Sequence, residues 1–373
     1  MNSLSDEPPG GLFTGEEPLK NFKFDYRHVL MLAIPVALLA ETFGWGLVVV
    51  FIAAAVGIIP LAGYIGEATE ELTAYTGPKI GGLLNATLGN AAELIITIVA
   101  IKAGAVELVI ASITGSILGN LLLVMGLSVL LGGLKNGKQK FDRSRATSYA
   151  TMMILAMAAL MIPAIFGDFI DINHHEALQP FSLGVAGVMI FIYGLGIYYS
   201  FTSSDEESPL TRPSAHDAHE PKWSVRTAVI VLIIATVAIV FMSEALVGSI
   251  EHVVTELGWS EFFVGIIIVP LVGNAAEHMV AVQVALKNRM TLSMEIALGS
   301  SLQIALFVAP LLVIIAAFMG VELAFSFNTF EQVSLASAGI VAVFIFQDGE
   351  SNWMEGAQLL ALYAILGVAF FFI

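Results

Sequence analysis

Apolar stretches long enough to cross a membrane alternate with short polar breaks along nearly the whole chain. They fall at 28–43, 45–73, 78–102, 105–133, 146–166, 180–201, 224–254, 261–286, 291–319, 331–347 and 355–373. A helix of about 20 apolar residues spans a bilayer, so the pattern predicts an all-α polytopic membrane protein with about eleven transmembrane helices. The pattern also recurs. Gly-Asn-Ala-Ala-Glu stands at 89–93 and again 184 residues later at 273–277. At the same offset Gly81 matches Gly265, Glu67 matches Glu251, and Gly115-Ser116 matches Gly299-Ser300. With the first run set aside, runs two to six match runs seven to eleven. Five is odd, so the second unit must lie upside down relative to the first. The expected organisation is a cytosolic tail at 1–27, a leading helix at 28–43, a five-helix repeat at 44–201, an acidic cytosolic linker at 202–223 and a second five-helix repeat at 224–373.

Composition agrees: 57% of residues are hydrophobic and only 12% charged, with a mean hydropathy of +0.88. The absence of cysteine removes disulfide frameworks, thiolate metal clusters and thiol catalysis. The first 27 residues are polar and lack an apolar stretch ending in a small-residue cleavage site, so no cleaved signal peptide is expected. The polar segment 203–221 reads as a solvated hinge, its acids offering a weak cation-binding surface as the alternative.

Charge sharpens the picture by its placement. The net charge is −16, and many acids sit inside or at the ends of apolar runs, among them Glu41, Glu67, Glu70, Glu71, Glu93, Glu107, Glu244, Glu251, Glu277, Glu295 and Glu322. Such an interior suits a cation and repels anionic substrates such as phosphate or carboxylates. With the N-terminus in the cytoplasm, every lysine and arginine except Lys102 falls in the tail or in inner loops, most densely at Lys135, Lys138, Lys140, Arg143 and Arg145. The positive-inside rule thus predicts a cytoplasmic N-terminus and a C-terminus outside. The expected location is the plasma (inner) membrane of a prokaryote, with a vacuolar membrane as the alternative.

Carboxylates in mid-membrane are costly, so Glu93 and Glu277 mark a site rather than packing. Three residues apart on a helix, Asn90 and Glu93 share a face, as do Asn274 and Glu277, so each motif offers an amide oxygen and a carboxylate to one point. Gly89 and Gly273, with Pro270 nearby, permit a break that frees backbone carbonyls. Oxygen-only ligands, two of them carboxylates, describe a hard divalent cation, with Ca2+ favoured. Without the cation, two facing carboxylates in a dry midplane cannot both stay charged, so protons take its place. Exchange follows from that swap. Ser116, Asn120, Ser300 and Gln303 on the helices after each motif are secondary lining candidates, and Glu244 is a further pathway candidate. Glu67 and Glu251, near opposite membrane faces, read either as acidic mouths or as ordinary solvated carboxylates. His278 reads as a packing or interface residue, having no counterpart in the first repeat.

The stretches GGLLNATLGNAAEL at 81–94 and VPLVGNAAEH at 269–278, with GEATEEL at 66–72 and GSSLQIALF at 299–307, resemble the calcium/proton exchanger (CAX) family of calcium/cation antiporters. The resemblance covers the chain after residue 28. It implies eleven helices, a cytosolic N-terminus, and calcium export driven by proton uptake, with Glu93 and Glu277 as the cation and proton carboxylates and Asn90 and Asn274 beside them. Sodium-coupled relatives carry hydroxyl-rich, proline-containing motifs instead. The linker is less densely acidic than the family's acidic helix. A secondary antiporter is therefore the leading expectation, with a Na+-coupled exchanger or a passive divalent-cation channel as alternatives. The chain shows no paired nucleophile and base for an enzyme. No cofactor beyond the transported ions is expected. The implied partners are Ca2+, H+ and the bilayer, with homo-oligomerisation left open.

Overall fold

The computed structural model describes residues 26–202, 221–346 and 348–373. Most of the expected tail and the linker segment 203–220 lie outside the described residues. Two short helices come first among the described residues, α1 (Tyr26–Leu30) and α2 (Ala33–Phe43). The first repeat then holds α3 (Leu47–Leu88), α4 (Ala91–Lys102), α5 (Val106–Asn136), α6 (Arg143–His174) and α7 (Leu178–Thr202). The second holds α8 (Val225–Leu257), α9 (Glu261–Gly273), α10 (Ala275–Leu286), α11 (Met290–Phe318), α12 (Thr329–Phe346) and α13 (Trp353–Phe371).

Among the described residues, eight helices are long and apolar enough to cross a membrane, or nine when the bent pair α9–α10 counts as one. The other two expected runs, 28–43 and 78–102, are helical but interrupted. The first is split by a turn at residues 31–32, and the second breaks at residues 89–90. Helical hydrogen bonding runs unbroken through α3, yet only Leu47–Thr76 qualifies as an apolar span. Near its end the chain turns back on itself: the Thr73 hydroxyl donates to the Gly81 carbonyl at 3.4 Å, eight residues on. A straight helix would separate those residues by about 12 Å.

The helices are apolar nearly all round, as lipid contact requires. Phe43, Ile172, Phe318 and Phe372 are exposed, while Ile96, Ile101, Leu108, Ile117, Leu118 and Leu121, around the first motif, are buried. One end carries a small clasp. Strand β1 (Gln139–Lys140) pairs antiparallel with β2 (Glu350–Ser351), Gln139 opposite Ser351. Gln139 Nε2 also donates to the Ala285 carbonyl at 3.0 Å, and Arg145 Nη1 to Glu295 at 2.7 Å. The loops after α5, α10 and α12 are thereby tied together at the end where Lys138, Arg143, Arg145 and Arg289 gather.

A candidate cation site between the two repeats

Both motifs break their helices at asparagine. Asn90 and Asn274 take φ/ψ of −95°/19° and −101°/4°, and α9 and α10 meet at 60° across the second. A new helix starts directly after each, so Glu93 and Glu277 lie in first turns, where the helix dipole favours negative charge. An asparagine at this position usually bonds its own helix. Neither does so here, and both side chains serve the site instead.

The partners cross between repeats. Glu93 Oε1 accepts short hydrogen bonds from Ser116 Oγ and from Asn274 Nδ2 of the other half. Asn90 in turn crosses to the second half: its Nδ2 donates to Gln303 Oε1 at 2.8 Å and its Oδ1 accepts from Ser300 Oγ at 3.2 Å. The Ser300 hydroxyl also meets the Glu277 carboxylate and accepts from Asn120 Nδ2 at 3.1 Å. Each asparagine amide thus bonds across to the opposite repeat rather than to the glutamate of its own motif. Each glutamate is instead served by the serine of its own half, and Glu93 by the asparagine of the other, because the inverted repeats meet face to face at the breaks.

The glycines explain the close approach. A Cβ on Gly273 would stand 2.9 Å from Glu93 Cγ, and one on Gly89 would stand 3.3 Å from Glu277 Oε1. Each glutamate is thus seated against the glycine of the opposite motif. Asn90, Asn274, Ser116, Asn120, Glu93 and Ser300 are buried, whereas Glu277 and Gln303 are half-buried. The two carboxylates interact electrostatically, and Oε2 of each is buried without a hydrogen-bond donor among the described residues. A buried carboxylate oxygen with no donor is expensive, and a cation or a proton supplies what it lacks.

Helices α5 and α11 each carry a π-helical stretch just past the site, Gly119–Val124 and Ile304–Val308, at matching repeat positions. Such widened turns concentrate at functional sites. Here they begin beside Asn120 and Gln303, and no sequence signal announced them.

The pathway candidates lie elsewhere. Glu67 pairs with Arg27 at 2.6 Å and Glu244 with Lys102 at 3.4 Å, while Glu251 is exposed. None of the three joins the hydrogen-bonded cluster. His278 is buried with Nε2 unpartnered among the described residues, consistent with packing.

The chain matches the family described as sodium/calcium exchanger protein over residues 46–202 and 227–372. It is 43% identical to a Ca(2+)/H(+) antiporter of Aphanothece halophytica, covering 92% of this chain and 95% of the relative. It is equally 43% identical to the Ca(2+)/H(+) antiporter ChaA of Bacillus subtilis strain 168, covering 91% and 96%. The solved structure of native YfkE superposes with a TM-score of 0.81 at 40% identity, covering 93% of this chain and all of that one. This membrane protein therefore belongs to the calcium/proton exchangers of the sodium/calcium exchanger protein family.

Proposed function

We propose that this chain is a secondary active antiporter that carries Ca2+ across the membrane in one direction in exchange for H+ in the other. The observation that carries the assignment is the pair of carboxylates from inverted halves, each with one oxygen lacking a donor. The relatives named Ca(2+)/H(+) antiporter support the same substrates. Among the described residues no three His, Cys, Asp or Glu side chains assemble into a metal site. The ion's shell is therefore completed by neutral oxygens, which suits the flexible, oxygen-rich coordination of Ca2+.

In this reading Glu93 and Glu277 bind the ion, the Asn90 and Asn274 amides help to shape the shell, and Gly89 and Gly273 let the carboxylates seat. Ser116, Asn120, Ser300 and Gln303 hold those groups in place. When Ca2+ leaves, protons neutralise the carboxylates, and the neutral site can return. Inverted halves supply two related states, one open to each side. The chain is thus a transporter, with no chemical step for an enzyme to catalyse. The orientation follows the basic residues: the end with the β clasp faces the cytoplasm of a prokaryotic cell, and Ca2+ is exported.

The decisive experiment is Ca2+ uptake into proteoliposomes driven by an imposed proton gradient, with sodium absent and membrane potential clamped. Accumulation above the external concentration is expected, and it collapses when the proton gradient is dissipated. A passive channel equilibrates Ca2+ without accumulating it, and a sodium-coupled exchanger stays silent.

A further inference from the structure

Glu67 looks from the sequence like a plain acidic mouth. The structure gives it a fixed partner: Arg27 Nη1 donates to Glu67 Oε2 at 2.6 Å, with both side chains a little over a quarter exposed. The Arg27 guanidinium also lies 5.2 Å from the centre of the Tyr64 ring. Gly63, one turn before Glu67 on the same helix face, is the meeting point. A Cβ there would lie 3.8 Å from Arg27 Cδ and 3.9 Å from Ala276 Cβ. Ala276 immediately precedes Glu277, the more accessible of the two site carboxylates.

The same face of α3 continues from Gly63 through Glu67 to the exposed Glu70, towards Tyr75. The Tyr75 hydroxyl donates to the Trp223 carbonyl, at the start of α8. One helix face thus runs from the basic start of α8, where Lys222 and Arg226 flank Trp223, to the neighbourhood of Glu277; Glu67 and Glu70 line it, and a guanidinium lies across it. A divalent cation that takes Glu67 Oε2 must displace the guanidinium bound there. A partly exposed ion pair is weak enough to open, so the two compete.

We propose that Arg27 is a charge gate on the approach to Glu277 from the basic end, and that by holding Glu67 it sets how much Ca2+ that side must present to load the exchange site. The inference rests on the exchange reading above, with Glu67 as an outlying station for the ion. The alternative is a staple that fastens α1 to α3. The two differ in sign. Removing either half of a staple weakens the same contact, so both variants move together. Removing the gate and removing its seat move transport in opposite directions.

The test uses full-length protein in proteoliposomes, with Ca2+ titrated on the basic side and separately on the opposite side. Arg27→Gln should lower the half-saturating Ca2+ on the basic side by roughly threefold to tenfold, with the saturated rate preserved. Glu67→Gln leaves the arginine charge on the path and should raise that requirement by a similar factor. The double variant should fall between the singles, Arg27→Lys should behave as wild type, and the opposite side should be unchanged throughout. An unchanged requirement in Arg27→Gln, or a shift of both single variants in the same direction, overturns the gate. Should Arg27→Gln fail to fold, Glu67→Gln decides alone, since a requirement that does not rise also overturns it. Wild-type protein that does not exchange at all brings down the transport assignment rather than the gate.

Discussion

The asparagines carry the most specific information at the scale of single residues. Asn90 and Asn274 end one helix and begin the next without capping it, and their amides reach across to the opposite repeat. Glu93→Gln and Glu277→Gln should each abolish proton-driven Ca2+ uptake, because an amide keeps the shape but loses both the charge and the exchangeable proton. Both variants should remain folded, since an amide keeps the carboxylate's shape and carries no charge to desolvate within the bilayer. Transport near the wild-type rate in either, at normal expression, would refute a shared site. Gly273→Ala tests the seat. With a Cβ 2.9 Å from Glu93 Cγ, the carboxylate must shift, and Ca2+ affinity should drop by about tenfold, as misplacement of a ligating group does. Isotope uptake as a function of Ca2+ concentration measures both. Glu93 and Glu277 stood out as candidates in the sequence because charge inside long apolar runs is rare. Their pairing was not legible, because residues within one motif give no hint of which partner the opposite motif supplies.

At the scale of elements, the breaks at Asn90 and Asn274 followed from the glycines beside them, whereas the π turns after Ser116 and Ser300 had no such marker. The β clasp was equally silent, being two residues per strand in loops that composition marks only as polar. Its ion pair, Lys138 Nζ to Glu350 Oε1 at 2.5 Å, gives it a pH window. The hydrogen bond from Lys138 holds Glu350 below the usual carboxylate range, and the same bond pushes Lys138 above the usual lysine value. Glu350 therefore contributes above its unfolded value and ceases to as pH falls through its lowered folded one. Lys138 contributes below its unfolded value and ceases to as pH rises through its raised folded one. The clasp should stay closed across neutral pH and loosen in acid and in strong base. The Phe141 amide, which donates to the Gly349 carbonyl at 2.9 Å, is the reporter. Its exchange protection, corrected for intrinsic rate, should be flat near neutrality and fall once Glu350 protonates. Protection that declines steadily across neutral pH would contradict this.

For the molecule as a whole, the helical membrane class was readable from hydropathy, while the number of clean spans was not. Length and apolarity alone do not reveal a helix that breaks partway, as residues 78–102 do at residues 89–90. The basic residues order the ends. Lys138 and Arg145 sit with the clasp, and Lys102 pairs with Glu244 at the far end of α4. In a chain without cysteine, Lys138→Cys should react with an impermeant thiol reagent only from the cytoplasmic side and Lys102→Cys only from outside. Labelling of position 138 in intact cells would reverse the orientation. The crossing of partners at the breaks has a consequence for how such a chain can be assembled. A single repeat holds Glu93 and Ser116 but lacks the amide that completes them, so neither half is a transporter in miniature. Two polypeptides cut within 203–220 should each be inert when made alone and should recover exchange when made together. The functional unit is in effect a dimer of opposed halves that happens to be written on one chain.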